Sequence, residues 1–439
     1  MTGLGTRAVP IFLALCLILG GASAAGFAAN LGLQLLGLTI GLIAVITVRP
    51  AGVPQADRFL RWLAILLAMI VCLQFIPLPQ GFWMALPGRA RIAEDLALLA
   101  VVPRPTLLTL SYHQSIASLV WLLPAAGMFV ALMITRELPA RALALAVVAV
   151  ALLGILLGVV QFLGGQDSVG YLYDYTTRGA LVGFFANANH MATLLLATLP
   201  FLSALFVSLI MQQPRFRREL TMIWAALVAL ILLGIVLAGA LTGYALAGPA
   251  LALSGLIMFP WLRRPFKLAL LPAIALGAVA IGLTEEGQKL LSSDREVSER
   301  SRETMIVTTL DATANYWPAG TGLGTFREVY DDFEDADAAG EFYVHHAHND
   351  YLELVLELGL FGLIGIAAFL AWWMSRLWAI WRAGGGGPFE EAAMIASGII
   401  LLHSAWDYPL RTAAISTLLA VCCAILSRAS GQTKPDPAS

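Results

Sequence analysis

Charge is what this sequence has least of. Of its 439 residues, 12% are Asp, Glu, Lys or Arg, while 59% are hydrophobic. A soluble chain carries about 25% charged residues, so a chain at half that level cannot present a normal solvated surface, and a water-soluble globular protein is excluded. Most of its surface must meet membrane lipid, and no nucleic-acid partner is expected. Cysteine is also scarce. Cys16, Cys72, Cys422 and Cys423 all fall inside apolar runs, without Cys-x-x-Cys spacing or a neighbouring histidine. They read as small apolar core residues, which argues against a disulfide framework or a thiolate metal centre. No internal repeat is visible, and in particular no inverted one of the kind many transporters carry.

What the sequence has in abundance is apolar runs of membrane-spanning length. They occur near residues 9–29, 31–48, 59–78, 116–135, 142–163, 190–211, 222–241, 244–261, 267–283, 351–374, 392–406 and 412–427. The first could be a signal peptide, with Arg7 ahead of the run and Ala22-Ser23-Ala24 behind it; its continuation to Ala29 favours an uncleaved span. Charge in the gaps tests the map. With the N-terminus inside, the inside gaps hold 16 of the 26 basic residues and only six of the 28 acids. Every inside gap carries Arg or Lys, so the alternation never slips. The reading is an all-α polytopic membrane protein of about 12 spans with both ends inside. Its parts are a nine-span region (1–283), a large outer loop between spans 9 and 10 (284–350), a three-span region (351–427) and a disordered inner tail (428–439). Gly384 to Gly387 reads as a flexible inner linker.

Chemistry concentrates where the large loop ends. Three of the six histidines lie in His345-His346-Ala347-His348-Asn349-Asp350-Tyr351. Asp350, Glu353 and Glu357 follow on one face of the helix that begins there. Asp350 and Glu353 could simply stabilise a helix N-terminus. Glu357 lies deeper, and a spanning helix accepts such a residue only toward a bundle interior or wet cavity. Arginines beyond the expected spans are few, among them Arg178, Arg302 and Arg411. Arg411 ends His403-Ser404-Ala405-Trp406-Asp407-Tyr408-Pro409-Leu410-Arg411, where Asp407 could pair with it.

These residues carry a resemblance. His348-Asn349, nine residues, then Gly359-Leu360-Phe361-Gly362 resembles the motif of bacterial O-antigen ligases, and the wider stretch is similar to the shared core of the O-antigen ligase and polymerase superfamily. Gly320-Thr321-Gly322-Leu323-Gly324 resembles the family's glycine turn ahead of the histidine. Gly183-Phe184-Phe185-Ala186-Asn187-Ala188-Asn189-His190 resembles its Gly-x-Phe-x-Asn-x-Asn segment.

The resemblance implies a glycosyltransferase of the bacterial inner membrane with its site facing the periplasm. It would move a glycan from undecaprenyl diphosphate to a hydroxyl of a lipid A core or of a growing polysaccharide, inverting the anomeric centre without metal or cofactor. Arginine suits the diphosphate because its planar fork stays charged and binds two oxygens at once. Histidine, with a pKa near neutrality, suits the one proton to be accepted. The implied catalytic residues are His348, with Asp350 or Glu353 holding its imidazole. The implied binding residues are Arg302, Arg178, Arg411, Asn349, Asn187 and Asn189, with Asn349 also expected to cap the helix. One departure stands out: many members have a Ser-Arg pair in the gap between spans 7 and 8, and this chain has Thr242-Gly243-Tyr244. Ligase and polymerase differ only in acceptor and stay open. A metal-dependent hydrolase using His345, His346, His348 and Asp350, and a glycolipid transporter, are more distant alternatives.

Overall fold

The computed structural model describes residues 4–23, 28–47, 58–101, 106–135, 138–259, 296–335, 344–382 and 386–428. Among them regular structure is helical, with one isolated bridge between Pro77 and Leu107. In chain order the helices are α1 (Leu4–Leu19), α2 (Ala28–Thr47), α3 (Arg58–Leu73), α4 (Gln80–Met84), α5 (Arg89–Leu98), α6 (Tyr112–Ile134), α7 (Ala140–Leu163), α8 (Ala188–Gln212), α9 (Arg217–Ala238), α10 (Leu241–Met258), α11 (Glu296–Tyr316), α12 (Phe326–Asp331), α13 (Asp350–Arg382), α14 (Pro388–His403) and α15 (Ala413–Leu426). Lipid offers the backbone no hydrogen bonds, so an apolar run that crosses it must satisfy its own amides as a helix.

Seven of these helices, α2, α6 to α10 and α13, are long and apolar enough to cross a bilayer. α1, α3, α14 and α15 occupy four more of the expected runs but are shorter, at 14 to 16 residues. The expected run 267–283, the start of the charged stretch from Glu285, the first half of the glycine linker and the tail from 429 lie outside the described residues. Three cysteines are buried as the apolar runs suggest, but Cys72 is exposed on the flank of α3.

α8 is the hub. It packs against α7, α9, α10 and α14, and 78% of its apolar stretch is buried, against 33% for α13. Its start is fixed by Asn187, whose side chain accepts from the Asn189 N–H at 2.8 Å, a standard N-cap arrangement. The loop before it is tied down by Gln161 of α7. The Gln161 amide donates to the carbonyls of Gly170 and Gly183 and accepts from the N–H groups of Val182 and Gly183. All of this side chain's polar capacity therefore goes into holding the segment that leads to Asn187.

A second, smaller core stands apart from the bundle. Ala312 and Tyr316 of α11, Phe326, Val329 and Tyr330 of α12, Ala347 and Leu356 bury one another. The glycine turn connects this core to α13. Gly320, Gly322 and Gly324 have φ of 76, 117 and 81°, values that favour glycine. Their amides reach α13: Gly322 N–H donates to the Glu357 carbonyl and Gly324 N–H to Glu357 Oε1, both at 2.8 Å. Behind the turn, fully buried Arg89 donates to the carbonyls of Leu108 and Gly320. Where the turn meets α13 the helix breaks. Gly359 has φ 59° and ψ −137°, and the Leu360 N–H turns aside to the Pro318 carbonyl. A Cβ at 359 would lie 2.1 Å from that carbonyl oxygen. The first glycine of the 359–362 pair thus marks a kink whose tight contact excludes a side chain.

Candidate active site

Four helix ends meet at one end of the bundle: the start of α8, the end of α14, and the starts of α13 and α15. The connection 404–412 stitches them together. Asp350 N–H donates to the Ser404 carbonyl, Asn349 Nδ2 to the Ala405 carbonyl and the Tyr351 hydroxyl to the Leu401 carbonyl. Asn349 Oδ1 accepts from the N–H groups of Tyr351 and Leu352, both at 3.0 Å. It is therefore the N-cap of α13, as expected, and both ends of its amide are occupied.

His348 sits immediately before that cap with φ of 49°, an uncommon conformation for a residue with a Cβ. The turn aims its ring at the 404–412 connection rather than along α13. Nδ1 lies 3.3 Å from Oδ1 of Asp407. This is ion-pair distance, with an angle too poor to count as a formed hydrogen bond. The Asp407 side chain is fully buried, whereas that of His348 is 24% exposed. Burial alone would raise the Asp407 carboxyl; the close contact with His348 and the charges of His190, His348 and His403 outweigh it and hold the group well below the usual carboxylate range. Asp407 therefore stays ionised, and with Nδ1 turned to it, Nε2 of His348 is the nitrogen left to face incoming chemistry.

Tyr408 forms the wall. The rings of His346, His348 and His190 lie 4.5, 4.8 and 5.1 Å from its own, and Asn187 hydrogen-bonds its hydroxyl. Burial and then Asp407 push the phenol up, so it remains a neutral hydrogen-bonding group.

A second charged cluster lies beside the first. Arg411 reaches Asp350 at 3.7 Å, Glu353 at 3.3 Å and Glu357 at 3.2 Å. Burial would lower the guanidinium, but Glu353, Glu357 and Asp350 together raise it. One cation does not balance three buried carboxylates. Backbone amides supply the rest: Leu410 N–H to Asp350, Ala347 N–H to Glu353 and Gly324 N–H to Glu357, with His346 Nδ1 at 2.9 Å from Glu353. The cluster thereby ties the glycine turn, the histidine segment and the 404–412 connection to the first turns of α13.

The sequence-derived candidates divide accordingly. Asp350 and Glu353 were expected to hold His348; instead they bind Arg411, Glu353 also binds His346, and Asp407 takes His348. The pairing of Asp407 with Arg411 is likewise replaced. Arg302, on α11, is half-buried, and its charge acts on His403 and Tyr408. Arg178 lies over the Tyr171 ring at 5.5 Å and donates to the Gln166 carbonyl, contacts made within its own loop. Asn189 contributes its carbonyl to Thr193. The hydrolase ligands diverge: His346 faces Glu353, His348 faces Asp407, Asp350 faces Arg411, and His345 is exposed. Tyr408 and His190 stand in the motif segments but had no expected role, and Asp407 was expected only to pair with Arg411. The signal was there in ionisable residues at the ends of spans, where burial demands partners.

A family model described as O-antigen ligase matches residues 225–367. The matched stretch holds the latter part of α9, all of α10 and α11, the glycine turn, His348, Asn349 and the α13 carboxylates, and it supports the O-antigen ligase and polymerase superfamily for this chain. Asp407 and Arg411 lie beyond it. No curated protein matches the chain.

Proposed function

From the premise of that superfamily, we propose that the protein is a membrane glycosyltransferase that moves a glycan from undecaprenyl diphosphate to an acceptor hydroxyl at the periplasmic face of the inner membrane. The observation that carries the reading is the pairing of partly exposed His348 with buried Asp407. An imidazole braced on one nitrogen by a carboxylate and open on the other is a general base. The acceptor oxygen attacks the anomeric carbon as the carbon–oxygen bond to the diphosphate breaks. The acceptor proton passes to His348 Nε2, and the electron pair of the broken bond leaves on the lipid diphosphate. A single displacement inverts the carbon. Asp407 orients the ring and stabilises its protonated form.

Arg302 is the foremost diphosphate ligand in this reading, being half-buried with its charge felt by Tyr408 and His403. Arg178, at the edge of the same region of sequence that leads into α8, is the second. The Arg411 fork is turned to carboxylates, which makes it a brace rather than a phosphate contact.

Deletion of the gene followed by gel analysis of surface polysaccharide tests the function. Loss of attachment with polymer left on the carrier means ligase, and accumulation of single repeat units means polymerase. An unchanged pattern would sink both. The orientation has its own check. In a Cys72→Ser background, an impermeant thiol reagent applied to spheroplasts should label Val169→Cys, which is 98% exposed, and spare Gln213→Cys at the far end of α8. The reverse pattern would invert the map.

A further inference from the structure

Asp407 is surrounded by more histidine than a base needs. His190 Nε2, from α8, lies 3.9 Å from the same Oδ1 that faces His348. That is too long for a direct hydrogen bond. His403, one turn before Asp407 on the chain, is fully buried. The Thr193 hydroxyl lies 2.9 Å from the Asn189 carbonyl and 2.7 Å from His403 Nδ1. The arrangement that satisfies all three groups has the hydroxyl donate to the carbonyl and accept from Nδ1. In that tautomer Nδ1 carries the proton and Nε2 a lone pair. Among the described residues, no protein group donates to that Nε2, to Oδ2 of Asp407 or to either nitrogen of His190. Two buried acceptors, His403 Nε2 and Asp407 Oδ2, thus stand without donors, with a second imidazole beside them.

A water molecule is the group that offers two hydrogens at once, and a polar buried site with two to four partners is where such waters are retained. We propose that His190 and His403 enclose a buried water that donates to His403 Nε2 and Asp407 Oδ2, and that the two histidines are positioning residues which hold Asp407 against His348. This rests on the assignment of His348 as base. The groups that face Asp407 are His190 from α8, His403 from α14, His348 from the segment before α13, and Tyr408 beside it. Arg302 and Glu353 act on Tyr408 from α11 and α13.

The test is a double-mutant cycle. Purified protein is assayed against membranes of the deletion strain, which hold donor and acceptor. His403→Ala should lower kcat by about 10- to 100-fold, the worth of one hydrogen bond to a charged group, and leave KM unchanged. The acid limb of its pH profile should move to lower pH, because a displaced carboxylate stabilises the His348 imidazolium less. In an Asp407→Asn background the same change should cost nothing further. An equal loss in both backgrounds, or an unmoved acid limb, overturns the proposal. Should the alanine variant not insert, His403→Gln carries the same cycle. A high-resolution map offers a reading free of activity: a density peak bridging His403 Nε2 and Asp407 Oδ2 supports the water, and a dry gap overturns it. If His348→Ala retains the wild-type rate, the base assignment itself has failed. If His348 is essential and the cycle is additive, only this inference has failed.

Discussion

Replacing His348 by alanine should leave a folded, membrane-inserted protein whose transfer rate is lower by about 10²–10⁴, the usual contribution of a positioned general base. At about 1.36 kcal/mol per tenfold, that is roughly 3–5 kcal/mol of lost transition-state stabilisation. The three neighbouring histidines are not equivalent. His345 is exposed, and His345→Ala should stay near the wild-type rate. His346 stacks on Tyr408 and hydrogen-bonds Glu353, so His346→Ala should fall between the two. Asp407→Asn keeps the shape of the site but not its charge, and should approach the His348→Ala rate. The measurement is attached polysaccharide per unit of inserted protein. Wild-type transfer by a correctly inserted His348→Ala protein would remove the mechanistic core, whatever the family match.

The second large effect is on the fold rather than on the rate. Arg411→Ala strands three buried carboxylates, and breaking a buried pair from one side costs about 3–5 kcal/mol. The variant should give little monodisperse protein in detergent. Adding Glu353→Gln and Glu357→Gln should recover it, since the amides keep the shape and shed the charge. Size-exclusion profiles of fluorescently tagged variants read this directly. A well-behaved Arg411→Ala protein that inserts at the normal level and loses only donor use would instead make Arg411 a phosphate ligand.

The helical elements were legible in the sequence because lipid imposes a single solution: an apolar run long enough to cross must be a helix. One helix end was legible where a side chain does a local job, as with Asn349; Asn187, expected as a binding residue, turned out to cap α8. The partners across the site were not. His348 and Asp407 are 59 positions apart, and which carboxylate meets which base depends on how α13 and α14 pack. A carboxylate five residues on, in the first turn of the helix that follows, such as Glu353, looks the natural choice from sequence proximity. The positive φ of His348 swings the ring away from that face, and no spacing rule reveals this. Glycine spacing marked 320–324 as a turn, but not that the turn would dock on Glu357 and Gly359, a contact between Gly324 and Glu357 across 33 positions of sequence.

The break at Gly359 has a mechanical consequence. A spanning helix adjusts its tilt to the thickness of the surrounding bilayer, and a continuous α13 would carry every such adjustment into the carboxylates of its first turns. With the hydrogen-bond ladder interrupted at 359 and the upper segment clasped by the glycine turn, the lower segment can lean while the upper one keeps its bearing. The joint separates the seat of Asp350, Glu353 and Glu357 from the tilt of the longer segment below it.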